Sequence, residues 1–195
     1  DVAPSRGLGD VYKRQAYSAW KAKKLNSITL PSISGGTVSG LMSSINWFFT
    51  DSHEDFAIFQ IVVKNDSKDG TYYPQYINRI TLDSNGEYAL CYQARTETLL
   101  INDTPTETSL PEGYGVAPFL YVHRVLDFIF SEFGYTITEN PFKTDKELSS
   151  LVILNNAADC CVTGILNYAD LMPDCTIEDF LNALYVRFGL VYNVS

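Results

Sequence analysis

The chain has no C-x-x-C pair, no glycine-rich phosphate loop and no G-x-S-x-G elbow, and it carries only two histidines and four cysteines. Those absences remove the common zinc, nucleotide and serine-hydrolase signatures. No run approaches the about 18 apolar residues that a membrane-spanning helix needs. Basic residues are also scarce: 14 Lys and Arg stand against 23 Asp and Glu, for a net charge of −9. An acidic surface repels phosphate backbones, which disfavours nucleic acid and anionic membranes as partners. What is plentiful is aromatic and aliphatic side chain, enough in 195 residues for one large core or two small ones.

The stretch Thr176–Ser195 organises the rest. Ile177, Phe180, Leu181, Leu184, Tyr185 and Phe188 recur at helical spacing. Thr176 and Asp179 spell a capping box, and Gly189 stands where a left-handed C-terminal cap falls. Leu190–Val194 then reads as a strand. The same pattern lies 55 residues earlier: Val122, Val125, Leu126, Ile129, Phe130 and Phe133, then Gly134, then a strand over Tyr135–Thr138. Two helix–Gly–strand units in matching register are expected to lie on a shared sheet, since neither buries enough surface to order alone.

Residues 1–15 have no periodicity, and RGLGDVYKRQ resembles a translated sequencing-adapter scar; this leader is set aside from the fold. With the abrupt end at Ser195, the chain reads as an internal fragment, truncated at the C-terminus. From Ala16 to Thr50 the pattern is irregular. Ser27–Leu30 reads as a short strand, Ser32–Gly40 as a flexible loop, and Leu41–Thr50 as either helix or strand.

Phe56–Leu100 reads as an antiparallel meander: Phe56–Lys64, a hairpin over Asn65–Gly70, Thr71–Leu82 with Pro74 marking an edge or bulge, a two-residue turn at Asn85-Gly86, Glu87–Ala94, and a fourth strand over Thr98–Asn102. That spacing predicts an antiparallel sandwich-like or barrel-like β domain over 16–101. The polar segment 102–116, with two prolines, reads as a linker. The remainder, 117–195, reads as an α+β domain: a helix over Ala117–Phe133 opened by Pro118, a loop at Glu139–Lys143, a capping box at Thr144–Glu147, a buried strand at Leu151–Leu154, a strand at Gly164–Tyr168 and the final helix. The fold class is α+β.

Chemistry is thinly written. Cys91 falls in a strand pattern as a small buried hydrophobe, while Cys160, Cys161 and Cys175 lie near connectors; reduced thiols are expected, with no metal site. Asp51-Ser52-His53-Glu54-Asp55 gathers acid–base groups but reads as a solvated loop. His123 is expected at the surface or satisfied by a hydrogen bond. Asp83–Glu87 echoes a calcium loop, but the twelfth position is Ala94, which has no carboxylate, so a hairpin is the reading. Asn65, Asn102 and Asn193 open glycosylation triplets of a kind that arises by chance in polar loops. Thirteen tyrosines, with Tyr72, Tyr73 and Tyr76 clustered, suit a contact surface.

The segments APFLYVHRVLDFIFSEFGYTI, LSSLVILNNAAD and NYADLMPDCTIEDFLNALYVRFGLVY resemble structural proteins of tailed phages and prophages of gut bacteria. The shared pattern is a Phe-rich helix ending in Gly-Tyr, an apolar strand followed by Asn-Asn, and a Leu-Pro-x-Cys-Thr helix opening, with Met172 standing here for the Leu. The FL-x-x-L-x-x-x-FGL wording is similar to helix–strand units of tail baseplate hub proteins. The resemblance covers Ala117–Tyr192 and carries no catalytic motif. It implies a non-enzymatic tail or baseplate subunit. Such a subunit is assembled in the bacterial cytoplasm into a virion, joins other tail and baseplate proteins and copies of itself, and has no cofactor, metal, nucleic acid or membrane insertion. The alternative is a carbohydrate- or receptor-binding module that stacks Trp47, Phe48, Phe49 and the tyrosines on sugar rings. An enzyme would need paired acids at a spacing the sequence does not offer.

Overall fold

The computed structural model describes residues 20–45, 53–63, 75–101 and 104–192. Within them the chain is a mixture of helices and small antiparallel ladders, an α+β protein. The ladders are two-stranded, and no closed barrel or sandwich forms among the described residues. The expected hairpin at Asn65–Gly70, Pro74 and residues 46–50 lie outside the described residues.

Two ladders tie the start of the chain to its end. Strand β1 (Ser32–Ser34) pairs with β10 (Ile165–Asn167), and β2 (Phe56–Ala57) pairs with β9 (Phe119–Leu120). The other three are more local: β3 (Ile61–Val62) with β4 (Tyr76–Ile77), β5 (Ile80–Leu82) with β6 (Tyr88–Leu90), and β7 (Arg95–Ile101) with β8 (Thr104–Leu110). Buried side chains from Trp20 to Leu184 form one cluster, with Phe56, Ile77, Phe119, Leu120, Ile129 and Leu166 among its enclosed members.

Several sequence expectations give way here, each for a local reason. Phe56–Lys64 is not one strand, because the chain changes partner after Ala57. Thr71–Leu82 is split at Asn78, a buried residue with φ +55°. The Asn78 side chain donates to the Ala117 carbonyl at 2.8 Å and accepts from the Ala117 N–H at 2.8 Å, taking the place of a neighbouring strand. The turn at Asn85-Gly86 is longer than two residues. Gly86 N–H donates to the Asp83 carbonyl at 3.1 Å and Gly86 takes φ +80°, a type I turn followed by a glycine bulge. The 102–116 segment, expected as a linker, carries β8. The Thr-x-Thr alternation suits a strand, and the polarity reflects the mostly solvent-facing position of β8, in which only Leu110 is buried. Ser27–Leu30 is not a strand; a single 3-10 turn covers Leu25–Ser27 and β1 follows at Ser32. Ser32–Gly40 is not a free loop, since β1 and the first turn of helix α1 (Val38–Ile45) occupy most of it.

Helix α2 runs over Val122–Glu132, not from Ala117. Ala117–Leu120 is instead extended and enclosed, held by Asn78 and by β2. Val122, Val125, Leu126, Ile129 and Phe130 are buried as the period requires. The helix ends in a Schellman motif: Tyr135 N–H donates to the Phe130 carbonyl at 2.9 Å and Gly134 N–H to the Ser131 carbonyl at 3.0 Å. A short helix α3 (Pro141–Thr144) starts at Asn140, whose side chain accepts from the Phe142 N–H, where a loop was expected. The cap expected at Thr144 belongs to Asp145, which accepts from the N–H groups of Glu147 and Leu148. The strand expected at Leu151–Leu154 narrows to one bridge, Tyr121 with Val152.

Helix α4 (Ile177–Phe188) matches its sequence closely. Thr176 and Asp179 form the reciprocal capping box, and Gly189 closes the helix at φ +69°. The units do not share a sheet, because neither Tyr135–Thr138 nor Leu190–Tyr192 is a strand. Aromatic side chains gather at the helix ends instead: Trp20 lies 6.0 Å from Phe130 and 5.0 Å from Phe133, Tyr192 lies 5.4 Å from Phe130, and Phe142 meets Phe188 edge-on at 5.5 Å. The buried stripe of α4 also stops early. Tyr185 and Phe188 are exposed, beside Val186 at 83% and Val191 at 72%. Among the described residues no helix is long and apolar enough to cross a membrane.

Candidate functional site: a buried ionic knot

Among the described residues, ionisable groups gather around Asp55, in the stretch expected to be a solvated loop. Asp51 and Ser52 lie outside the described residues, but Asp55 is buried at the entry to β2. Its Oδ1 accepts from Arg124 Nε at 2.5 Å and its Oδ2 from the Tyr168 hydroxyl at 2.8 Å. Its own carbonyl accepts from the Tyr121 N–H at 2.9 Å. Thus a residue before β2, the first turn of α2 and a 3-10 turn over Tyr168–Leu171 meet at one carboxylate.

The surroundings hold that geometry. Arg124 Nη1 also donates to Asp127 at 3.2 Å, and its guanidinium lies 5.4 Å from the Phe128 ring centroid. Tyr168 is enclosed, edge-on to Phe56 and Phe128, and burial followed by its bond to Asp55 pushes its hydroxyl well above the usual tyrosine range. His53 stacks on Phe56 at 3.9 Å, and its Nδ1 accepts from the Asp55 N–H at 3.1 Å. Burial lowers the His53 pKa, in keeping with a neutral ring whose Nδ1 acts as an acceptor. Both Asp55 oxygens are engaged and Tyr168 holds its proton at neutral pH, so the cluster works as a clamp.

A second, smaller knot involves Glu132 at the end of α2. It forms an ion pair with Lys23, and its Oε2 accepts from the Thr29 N–H at 2.8 Å. The Lys23 bond, then the Thr29 bond, holds the carboxyl down to about 2 from an ordinary 4.5. Because the folded value is depressed, the stabilisation is full above about pH 4.5 and is lost as pH falls through about 2. Urea denaturation between pH 5 and pH 2 checks this. Glu132→Gln is expected to remove about one proton from the pH dependence of stability in that window, and an unchanged slope counts against the assignment.

The remaining sequence candidates scatter. His123 is half-buried against Tyr121, its Nδ1 enclosed without a hydrogen-bond partner, rather than exposed or satisfied; burial lowers its pKa. Asp83 accepts from the Asn85 and Glu87 N–H groups at 2.8 and 2.9 Å and serves its own turn. The four cysteines are unpaired, with Cys91 half-buried rather than enclosed. Among the described residues no group of three or more His, Cys, Asp or Glu is placed to hold a metal. Trp47, Phe48, Phe49, Tyr72, Tyr73 and the asparagines of the three glycosylation triplets lie outside the described residues. The Asp55 cluster left no trace in sequence spacing, since its partners lie 69 and 113 positions away. No family model matches the chain, and neither a curated protein nor a solved structure matches it.

Proposed function

We propose that the chain is an assembly subunit that works through protein–protein contact rather than catalysis. The observation that carries this reading is the solvent-facing end of α4. Tyr185, Val186 and Phe188 sit on the exposed side of its last turns, and Val191 follows the cap. An apolar group of this kind on a chain of net charge −9 suits a surface that another protein covers. The buried clamp at Asp55 suits the same role, because it fixes three segments without leaving a free reactive group. The finer reading, a tail or baseplate component of a phage particle that joins copies of itself and its neighbours, rests on the resemblance over Ala117–Tyr192.

Light scattering coupled to size exclusion tests the proposal. The chain is expected to elute as an oligomer. Tyr185→Asp combined with Val186→Asp is expected to give a monomer with an unchanged circular dichroism spectrum. A wild-type chain that stays monomeric at every concentration, or a double variant that assembles equally well, overturns it.

A further inference from the structure

Two of the four thiols form a structural unit. Cys160 and Cys161 are neighbours in a turn that Cys160 N–H opens by donating to the Ala157 carbonyl at 3.2 Å, and Gly164 N–H closes by donating to the Cys161 carbonyl at 3.1 Å. In an extended strand, adjacent side chains diverge to opposite faces. Here they converge: the sulfurs lie 3.8 Å apart, both are buried, and the Cys160 thiol also donates to the Val116 carbonyl at 3.2 Å. Two sulfurs and a carbonyl oxygen therefore meet beside a turn whose Asp159 and Thr163 face solvent.

Such a pair has two chemical outlets. A disulfide needs the sulfurs to close to about 2.05 Å, while neighbouring Cα atoms stay about 3.8 Å apart, short of the about 4.4–6.8 Å that unstrained disulfides use. A bridging soft centre with bonds of about 2.3 Å to each sulfur spans about 3.3 Å at the near-right angle of a pyramidal centre and about 3.8 Å at a tetrahedral one, so the 3.8 Å already present needs a closure of at most about 0.5 Å. Bridging therefore asks for little movement and oxidation asks for strain. Among the described residues no third His, Cys, Asp or Glu completes a set around the pair. A centre that fits must be satisfied by two sulfurs and bring its remaining ligand with it.

We propose that Cys160 and Cys161 form a dithiol site for a soft, thiophilic centre of the organoarsenic(III) type. With phenylarsine oxide as the probe, the two S–H bonds and the arsenic–oxygen bond break and two arsenic–sulfur bonds form. The oxide oxygen leaves as water with both protons. Arsenic stays trivalent, so no oxidant or reductant is needed. The hydrogen bond shared with Cys161, and then burial, hold the Cys160 thiol above the usual cysteine range, and the oxide oxygen supplies the proton acceptor that this requires. Local opening of the turn gives access.

The test uses the full chain carrying Cys91→Ser and Cys175→Ser, so that only the pair remains. Native intact-mass measurement after phenylarsine oxide treatment is expected to show one bridged phenylarsine per chain, retained in excess glutathione and stripped by 2,3-dimercaptopropanol. Cys161→Ser in that background is expected to lower retention in glutathione by about tenfold or more, as a single thiol cannot chelate. Cys161→Ala is the second variant should serine disturb the fold, which circular dichroism reports. The proposal is overturned by the absence of a native adduct, by an adduct that forms only in denaturant, by one that glutathione removes, or by one that both Cys161 variants keep.

Discussion

Asp55→Ala is expected to destabilise the chain by about 3–5 kcal/mol, the range seen when one member of a buried ion pair is removed. The magnitude follows from what is left behind. Arg124, with 24% of its side chain exposed, would keep the weaker ion pair to Asp127 at 3.2 Å and lose its shortest charged contact. The enclosed Tyr168 hydroxyl would lose the acceptor it now reaches at 2.8 Å, and a buried unpaired donor costs about 1–3 kcal/mol alone. For a chain of this length the combined loss corresponds to a melting-temperature drop of about 10 °C. Tyr168→Phe removes one bond but no charge and keeps the ring packed against Phe56 and Phe128, so about 1–2 kcal/mol is expected. The double variant is expected to cost less than the sum, because both substitutions remove the same bond. Urea denaturation of the three proteins measures this, and an Asp55→Ala protein within 1 kcal/mol of wild type would show that the knot carries no net stability.

Legibility tracked the distance over which each feature is encoded. Helix ends were readable because caps are written in a few adjacent residues: Thr176 and Asp179 bond to one another's backbone, and Gly134 and Gly189 adopt the left-handed conformations their positions implied. The apolar periods of α2 and the first half of α4 were readable for the same reason. What those faces pack on was not, since the partners include Trp20 and Tyr192 and not a following strand. β8 was hidden by its own exposure: a strand with one buried residue looks like polar linker in composition. The Asp55 knot was hidden by separation, because its partners stand 69 and 113 positions away and meet it beside the β2–β9 ladder. Asn78 misled in another way, by ending a β-like run to serve as a side-chain bridge to Ala117.

Gly35→Ala is expected to cost about 3 kcal/mol or more, while Gly36→Ala, one residue on, costs about 1–2 kcal/mol. Both glycines stand in a segment whose composition suggests nothing beyond a flexible loop, yet they are required for different reasons. A Cβ on Gly35 would lie 1.9 Å from the Leu41 amide nitrogen and 2.3 Å from the Gly40 carbonyl carbon. These are backbone atoms of the first turn of α1, and the Leu41 N–H they would displace makes the helical bond to the Thr37 carbonyl at 2.9 Å. No side-chain rotation relieves that overlap, so either β1 or α1 must shift. Gly35 N–H also donates to the Gly164 carbonyl at 3.0 Å, and a Cβ on Gly164 would meet the Thr37 carbonyl carbon at 2.7 Å, so a shift spreads to the β1–β10 ladder. Gly36 faces open space and needs only its φ of +70°, a conformation that asparagine also visits. Gly36→Asn is therefore expected to recover most of the loss seen with alanine, whereas Gly35→Asn is expected to be no better than Gly35→Ala. Hydrogen exchange gives a local readout: the amides of β1 and β10 should lose protection in Gly35→Ala and keep it in Gly36→Ala. Equal stabilities for the two alanine variants would mean that β1 does not lie against the first turn of α1.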